Sequence, residues 1–305
     1  MEVVERPPVV GEPGDLRGGG VKLRSRASTM QSHAQVTLIE SSRGHIFQDL
    51  TEVWGYRGLL YFLIWRDVKV RYKQTAIGAA WAIIQPFVTM LIFTVMFTRI
   101  VLMPTDGSPY PIFVYTALLP WNLFAGALTR SSESLIAQGR LITKVYFPRL
   151  IVPLSATVVG VIDFALGFAI LIGMMAWYSV VPSWNVLALP LFLLLALVAA
   201  FAFGLWFSAL NVRYRDVGHA LPFVVQVWLF VSPVAYPTST IPRDWRPLYT
   251  LNPMAGVIDG FRWALLGGPA PDAWALFFNV LLVSALLVGG LVFFRRMERT
   301  FADVV

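Results

Sequence analysis

Ionisable and aromatic residues set in apolar sequence are where this chain could do chemistry. Asp163 lies in the stretch Ile151 to Tyr178, which carries no other acidic or basic residue. A carboxylate at membrane depth is costly and marks a functional site by default. The plainer readings are a helix–helix hydrogen bond or a water-facing position. One acid is too little for a proton-coupled carrier, which needs a relay or a paired base. Asp259 and Arg262 stand three residues apart, a spacing that lets them pair on one helix face. Tyr115, Trp121, Phe124, Trp206, Trp228 and Tyr236 lie inside apolar stretches or at their ends. Their faces can stack on a sugar ring and their polar edges can hydrogen-bond. Packing and membrane-interface roles suit the same residues.

What is missing narrows the chemistry further. The chain has no Cys and three His, at 33, 45 and 219, none within an apolar run. Thiolate catalysis and thiolate metal sites are excluded, and no histidine metal site is expected. No Gly-x-x-x-x-Gly-Lys-Ser/Thr segment occurs, so the chain lacks the loop that cradles ATP phosphates. Any ATP-driven process would place ATP and Mg on a separate polypeptide. A membrane enzyme would need acids or histidines gathered at one membrane face. Asp163, Asp216, His219 and Asp259 fall in topologically different places.

The elements that must position these residues are membrane spans. Of 305 residues, 57% are hydrophobic and 13% charged, against roughly 45–50% and 25% in soluble domains. A helical span needs about 20 mostly apolar residues. Six stretches are candidates: Ala79–Thr98, Tyr110–Leu128, Ile151–Tyr178, Val186–Leu210, Ala220–Tyr236 and Ala273–Phe294. The second is broken by Pro120, and the fifth is short and carries Pro222 and Pro233. Pro86, Pro120, Pro222 and Pro233 are expected to kink or break helices. Twenty of the 24 Lys and Arg fall in 1–78, 130–150, 211–219 and 295–305. The positive-inside rule then puts both termini in the cytoplasm. The net charge of +7 follows this topology and does not point to nucleic acid.

Three segments flank the spans. Residues 1–45, rich in Pro, Gly, Arg and Glu without an apolar run, read as a disordered cytoplasmic tail, neither signal peptide nor span. Residues 46–76 mix helically spaced Leu50, Val53, Trp54, Leu60, Leu63 and Ile64 with basic residues. They predict a basic amphipathic helix on the cytoplasmic leaflet, ahead of a six-span domain at 77–305. Between spans two and three, Leu135, Ile136, Leu141, Ile142, Val145 and Phe147 make residues 131–149 apolar for a solvated loop. A short helix docking into a partner's groove, or a second membrane-surface helix, would account for it. Residues 247–268 are apolar but interrupted by Asn252, Pro253, Asp259 and Arg262. They predict short helices dipping in from the outer face.

The run Leu63 to Pro86 resembles the membrane subunit of bacterial type-2 ABC exporters of surface polysaccharide, the O-antigen, capsule and teichoic acid export family. Leu119–Phe124, Thr143–Arg149, Asn211–Asp216, Ser232–Tyr236 and Leu251–Met254 carry the resemblance on, in the family's order. It covers about residues 45–300. It implies an all-α, multi-pass protein of the bacterial inner membrane, a homodimer of six-span subunits. Each subunit would dock to a cytoplasmic ABC ATPase, with no cofactor of its own. Leu135, Ile136, Arg140, Leu141, Lys144, Tyr146 and Phe147 would contact the ATPase. Asn252, Pro253, Asp259 and Arg262 would belong to re-entrant helices gating the exit. The cargo would be a lipid-linked polysaccharide. Its pathway would use the six aromatic residues and Asp163, and its lipid pyrophosphate would meet Arg66, Lys69, Arg71 and Lys73. Those cations would otherwise serve anionic membrane lipid. Teichoic acid or a small lipophilic drug is the alternative cargo, and a glycan-modifying membrane enzyme the alternative class.

Overall fold

The computed structural model describes residues 46–73, 78–101, 105 and 107–304, which are helices and turns with no strand among them. The expected tail at 1–45 lies outside the described residues, as do 74–77 at the end of the expected surface helix. Among the described residues five helices are long and apolar enough to cross a membrane: Ala80–Val101, Tyr110–Ala137, Ile151–Trp177, Trp184–Arg213 and Ala273–Glu298. The chain is therefore built as a multi-pass membrane protein.

The expected fifth span differs. Helix α8 covers Asp216–Val231, sixteen residues, or roughly 24 Å at 1.5 Å per residue. That is short of the roughly 30 Å of a bilayer core. Pro233 cannot extend the helix. The chain turns at Ser232, whose hydroxyl caps the end by donating to the Trp228 carbonyl. Tyr236, expected inside this span, lies beyond the turn. Three other prolines do not end their helices. The helices α3 (Gly78–Met96), α4 (Tyr110–Ala137) and α8 run through Pro86, Pro120 and Pro222. The backbone carbonyl that each proline deprives of a donor costs less where neighbouring helices surround it.

Helix α4 is the centre of the protein. In its most apolar stretch 78% of residues are buried, against 17% in α3. It packs against α3, α8, α6 (Ile151–Trp177), α7 (Leu189–Arg213) and α10 (Pro253–Leu266). Two apolar clusters result. The larger joins α4, α6, α7 and α10. The smaller gathers Leu63, Leu135, Ile142, Phe147, Leu205, Val212, Phe294 and Phe301 at one end of the bundle. That end is completed by α1 (Ile46–Gly55), α2 (Arg57–Lys73) and α5 (Gly139–Lys144), and by α11 (Ala273–Val304), which continues well past Arg295 and Arg296. The opposite end carries the four-residue α9 (Arg246–Tyr249) and α10.

The segment before the first span is two helices, with the break at Tyr56. Helix α2 lacks a single apolar stripe. Leu63 and Val68 are buried, while Tyr61, Phe62, Trp65 and Val70 are exposed on its other sides. Residues 131–137 are not a separate helix either. They continue α4, and α5 follows after Gln138.

Candidate functional site

At the end of the bundle near α2, three helices bring charge together. Asp163 of α6 accepts a 2.5 Å hydrogen bond from the Tyr72 hydroxyl. Its other oxygen lies 2.9 Å from Nη1 of Arg71 and 3.7 Å from Nη1 of Arg130. The acid that the sequence leaves alone in its span thus ties α2 and α4 to α6. Burial and the hydrogen bond to Asp163 push the Tyr72 phenol up to about 12, so it remains a donor at neutral pH.

Arg130 is the residue that sequence reasoning missed, having been counted with the loop cations that set topology. Its guanidinium lies in the crevice between α4 and α6, with Nε directed at the Ala156 carbonyl. Two glycines leave it room. A Cβ on Gly160 would come within 2.5 Å of Nη2, and one on Gly126 within 2.9 Å of Nη1. The spacing Gly126–Arg130, one helical turn, was the available signal. Beside the cluster is a cavity of about 340 Å³, whose lining includes Arg71, Gln85, Asn122, Thr129, Arg130 and Asp163.

At the opposite end Arg262 is buried and held differently. Its guanidinium donates to the main-chain carbonyls of Val234 at 2.9 Å, Tyr236 at 3.3 Å and Phe113 at 3.5 Å. It also lies 3.6 Å above the Phe113 ring, a cation–π contact. Asp259 accepts from the Thr238 hydroxyl at 2.8 and 2.7 Å. Asn252 caps α10, accepting from the Met254 amide and from Trp228 Nε1 while donating to Ser232. Pro253 follows at the first turn, where its missing N–H costs nothing. Helix α10 ends at Gly267, whose φ of +71° is the left-handed conformation that glycine adopts without strain. A second cavity, about 320 Å³, has Asp259, Arg262, Tyr249 and Asn279 in its wall. Tyr249 donates to Tyr236. Burial first, then that contact, raise its phenol above the ordinary range.

The aromatic candidates divide by burial. Tyr115, Trp121 and Phe124 are buried within the protomer. Trp121, Phe124, Phe203 and Trp228 form one edge-to-face and tilted cluster with centroids 5.1–6.4 Å apart. Tyr115 donates to the Gly167 carbonyl. Trp206 joins α7 to α11, with Nε1 on the Leu286 carbonyl and its ring stacked on Phe293. All of these hold helices together. Trp228 and Tyr236 keep part of their surface open.

The residues at the α4–α6 connection divide likewise. Leu135 and Phe147 are buried, while Ile136, Arg140, Lys144 and Tyr146 are exposed and Leu141 is half-buried. On α2, Arg66 pairs with Asp67 at 2.7 Å, Lys69 sits 5.2 Å from the Trp65 ring, and Lys73 is exposed. Of the four candidate cations on α2, Arg71 is the one that reaches the cavity.

The family model for ABC-2 type transporters matches residues 58–266. The O-antigen export system permease protein RfbA of Myxococcus xanthus is 29% identical over 256 residues, 83% of this chain and 98% of that protein. An RfbA protein of Klebsiella pneumoniae is 28% identical over 250 residues, 81% of this chain and 95% of that protein. The polysialic acid transport protein KpsM of Escherichia coli is 23% identical over 241 residues, 77% of this chain and 92% of that protein.

Proposed function

The chain belongs to the ABC-2 type transporter family, and from that premise we propose that it is the permease of an exporter moving lipid-linked polysaccharide outward across the bacterial inner membrane. It is a transport subunit rather than an enzyme. The ATPase of such systems is a separate subunit, in keeping with a sequence that has no phosphate-cradling loop. The observation that carries the cargo assignment is the match, over nearly their whole length, to proteins named for O-antigen export and polysialic acid transport.

In this reading the α2/α5 end faces the cytoplasm and α9/α10 face outward, with both termini inside and α8 completing a six-span arrangement. Two copies form the pathway. The exposed apolar side chains of α3, among them Phe87, Leu91 and Val95, face lipid or the second copy. ATP-driven closure of the ATPase pushes on the exposed Ile136, Arg140, Lys144 and Tyr146, and on α2. Because α2 is tied to α6 through Asp163, that push reaches the spans. At the outer end Asn252, Pro253, Asp259 and Arg262 shape the gate, and the open surface of Tyr236 and Trp228 meets the polymer.

The test is a strain lacking this chain. Full-length lipid-linked glycan accumulating on the cytoplasmic side of a bare cell is the expected result, and it also identifies the cargo. Unchanged surface glycan would shift the cargo to a small lipophile. A complete lack of polymer would shift the chain to glycan synthesis.

A further inference from the structure

We propose that the cavity between α3, α4 and α6 is a binding site for the diphosphate headgroup of a lipid, with Arg71 and Arg130 as its anion ligands. This rests on the export reading, and the lipid is the carrier of the polysaccharide.

Three observations lead to it. The cavity wall holds two guanidiniums and one carboxylate, so the site attracts anions even with Asp163 in place. Guanidinium forks match phosphate oxygens in two-pronged geometry, and a diphosphate offers such oxygens on two centres. Arg130 is housed for this position. Gly126 and Gly160 clear its guanidinium, and an arginine in a helix crevice with one main-chain acceptor and a shared carboxylate retains donor capacity.

The remaining lining extends the match. Gln85, Asn122 and Thr129 add neutral hydrogen-bonding groups, which suit a headgroup carrying a sugar next to its phosphate. The volume, about 340 Å³, falls at the small end of the roughly 300–1,000 Å³ usual for ligand sites. It holds a headgroup rather than a whole lipid. The tail has its own surface next door. Gln85 and Pro86 of α3 line the cavity, while Ile84, Phe87, Val88, Leu91 and Ile92 of the same helix are exposed. A charged cavity bordered by an open apolar helix face is the arrangement that an anionic lipid fits. The carboxylate also gives the site a resting state, since Asp163 holds both guanidiniums until phosphate oxygens replace it.

The experiment uses the full-length chain in nanodiscs of phosphatidylcholine, with farnesyl diphosphate as probe and retention read by native mass spectrometry. Saturable binding is expected, weakened at least tenfold by Arg130→Gln and by Arg71→Gln. Asp163→Asn is expected to tighten binding several-fold, because it removes the competing carboxylate. Asn122→Leu, which fills the cavity and touches no charge, is expected to abolish retention. Wild type and Arg130→Gln binding alike would overturn the proposal. So would Asp163→Asn weakening retention as much as the arginine variants do. Displacement of the probe by an equal amount of phosphatidylglycerol would assign the site to bulk anionic lipid and overturn the carrier assignment. The deletion strain keeps the two readings apart. Export that persists in a chain unable to bind diphosphate sinks the site alone, and a chain that binds diphosphate yet is dispensable for surface glycan sinks the export reading.

Discussion

Two arginines, one near each end of the bundle, Arg262 buried and Arg130 half-buried, are treated in opposite ways. Arg262 is spread over three neutral carbonyls and the face of Phe113. Those acceptors belong to α4 and to the turn after α8, so the cation clamps three segments together. Arg130 instead shares a single carboxylate with Arg71 and borders an open cavity. Main-chain acceptors cannot change protonation or move without unfolding the backbone, so a cation held by them is a structural tie. A shared carboxylate can be exchanged for another anion. Arg262 is therefore a tie of the fold, whereas the partner that Arg130 holds is one that can be replaced.

The largest expected effect breaks the structural side. Arg262→Met removes the donors of three buried carbonyl contacts and the cation–π contact, costing about 3 kcal/mol or more. A clear fall in melting temperature in detergent should be seen, with Arg262→Lys recovering only part, since an ammonium lacks the planar fork. An unchanged melting temperature would refute the clamp.

Glycine substitutions sharpen the contrast. A Cβ on Gly260 would collide with the Phe192 ring, packed in the core, so Gly260→Ala should cost about 1–3 kcal/mol. A Cβ on Gly160 meets the end of the Arg130 side chain, which can swing away, and the Leu123 Cδ1 methyl at 3.1 Å, which has only to shift slightly. Gly160→Ala should therefore leave the melting temperature nearly unchanged while impairing export. Equal losses of stability in the two variants would erase the distinction.

Arg130→Gln should be milder for folding than Arg262→Met, about 1 kcal/mol, because Asp163 keeps Arg71 at 2.9 Å and Tyr72 at 2.5 Å. Surface glycan should nevertheless fall sharply in cells carrying it. A variant that melts far below wild type would place Arg130 with Arg262.

The smallest effect is on the tie itself. Tyr72→Phe should cost about 1 kcal/mol or less, the worth of one partly exposed hydrogen bond. The phenol is pushed up from its ordinary 10 to about 12. Its contribution is therefore fully present below pH 10 and lost as pH rises through about 12. The difference in melting temperature between wild type and the Phe variant should be constant from pH 6 to 9. A difference that shrank across that range would mean that another group makes the tie.

Much of the fold was legible because apolar run length is read directly against bilayer thickness. The boundaries of α6 at 151 and 177 agree with the stretch read from sequence to within one residue. The stretch at 220–236 does not match one helix, because its apolar content spans a helix end. Ser232 and Pro233 stop α8, and hydrophobicity alone does not register a turn. Of the kinks or breaks expected at Pro86, Pro120 and Pro222, no break occurs, since each helix runs through its proline. At Pro120, in the buried α4, surrounding helices offset a lost hydrogen bond, and those neighbours are absent from a linear reading. The amphipathic pattern before the first span overlooked that α2 has the bundle on one side and exposed aromatic residues on the others.

The candidate site was half legible. Asp163 stood out because a charge in an apolar run is conspicuous, and Arg71 was already among the basic residues of interest. Arg130 was hidden among topology-setting cations, since the helix that carries it continues past the end of its apolar run. Composition and charge placement by themselves determined a membrane protein, the short motifs from Leu63 to Met254 carried the resemblance to its family, and the absence of a phosphate-cradling loop and the lone acid at 163 were there to be read. These depend on local quantities: the length of apolar runs, the sign of flanking charge and the presence or absence of a contiguous motif. Only the tertiary structure decided which cations meet that acid, which aromatics are packing and which are open, and where the cavities lie. Those depend on residues far apart in sequence, 91 positions for Tyr72 and Asp163 and 149 for Phe113 and Arg262, brought within hydrogen-bond reach by helix packing that no short stretch of sequence encodes.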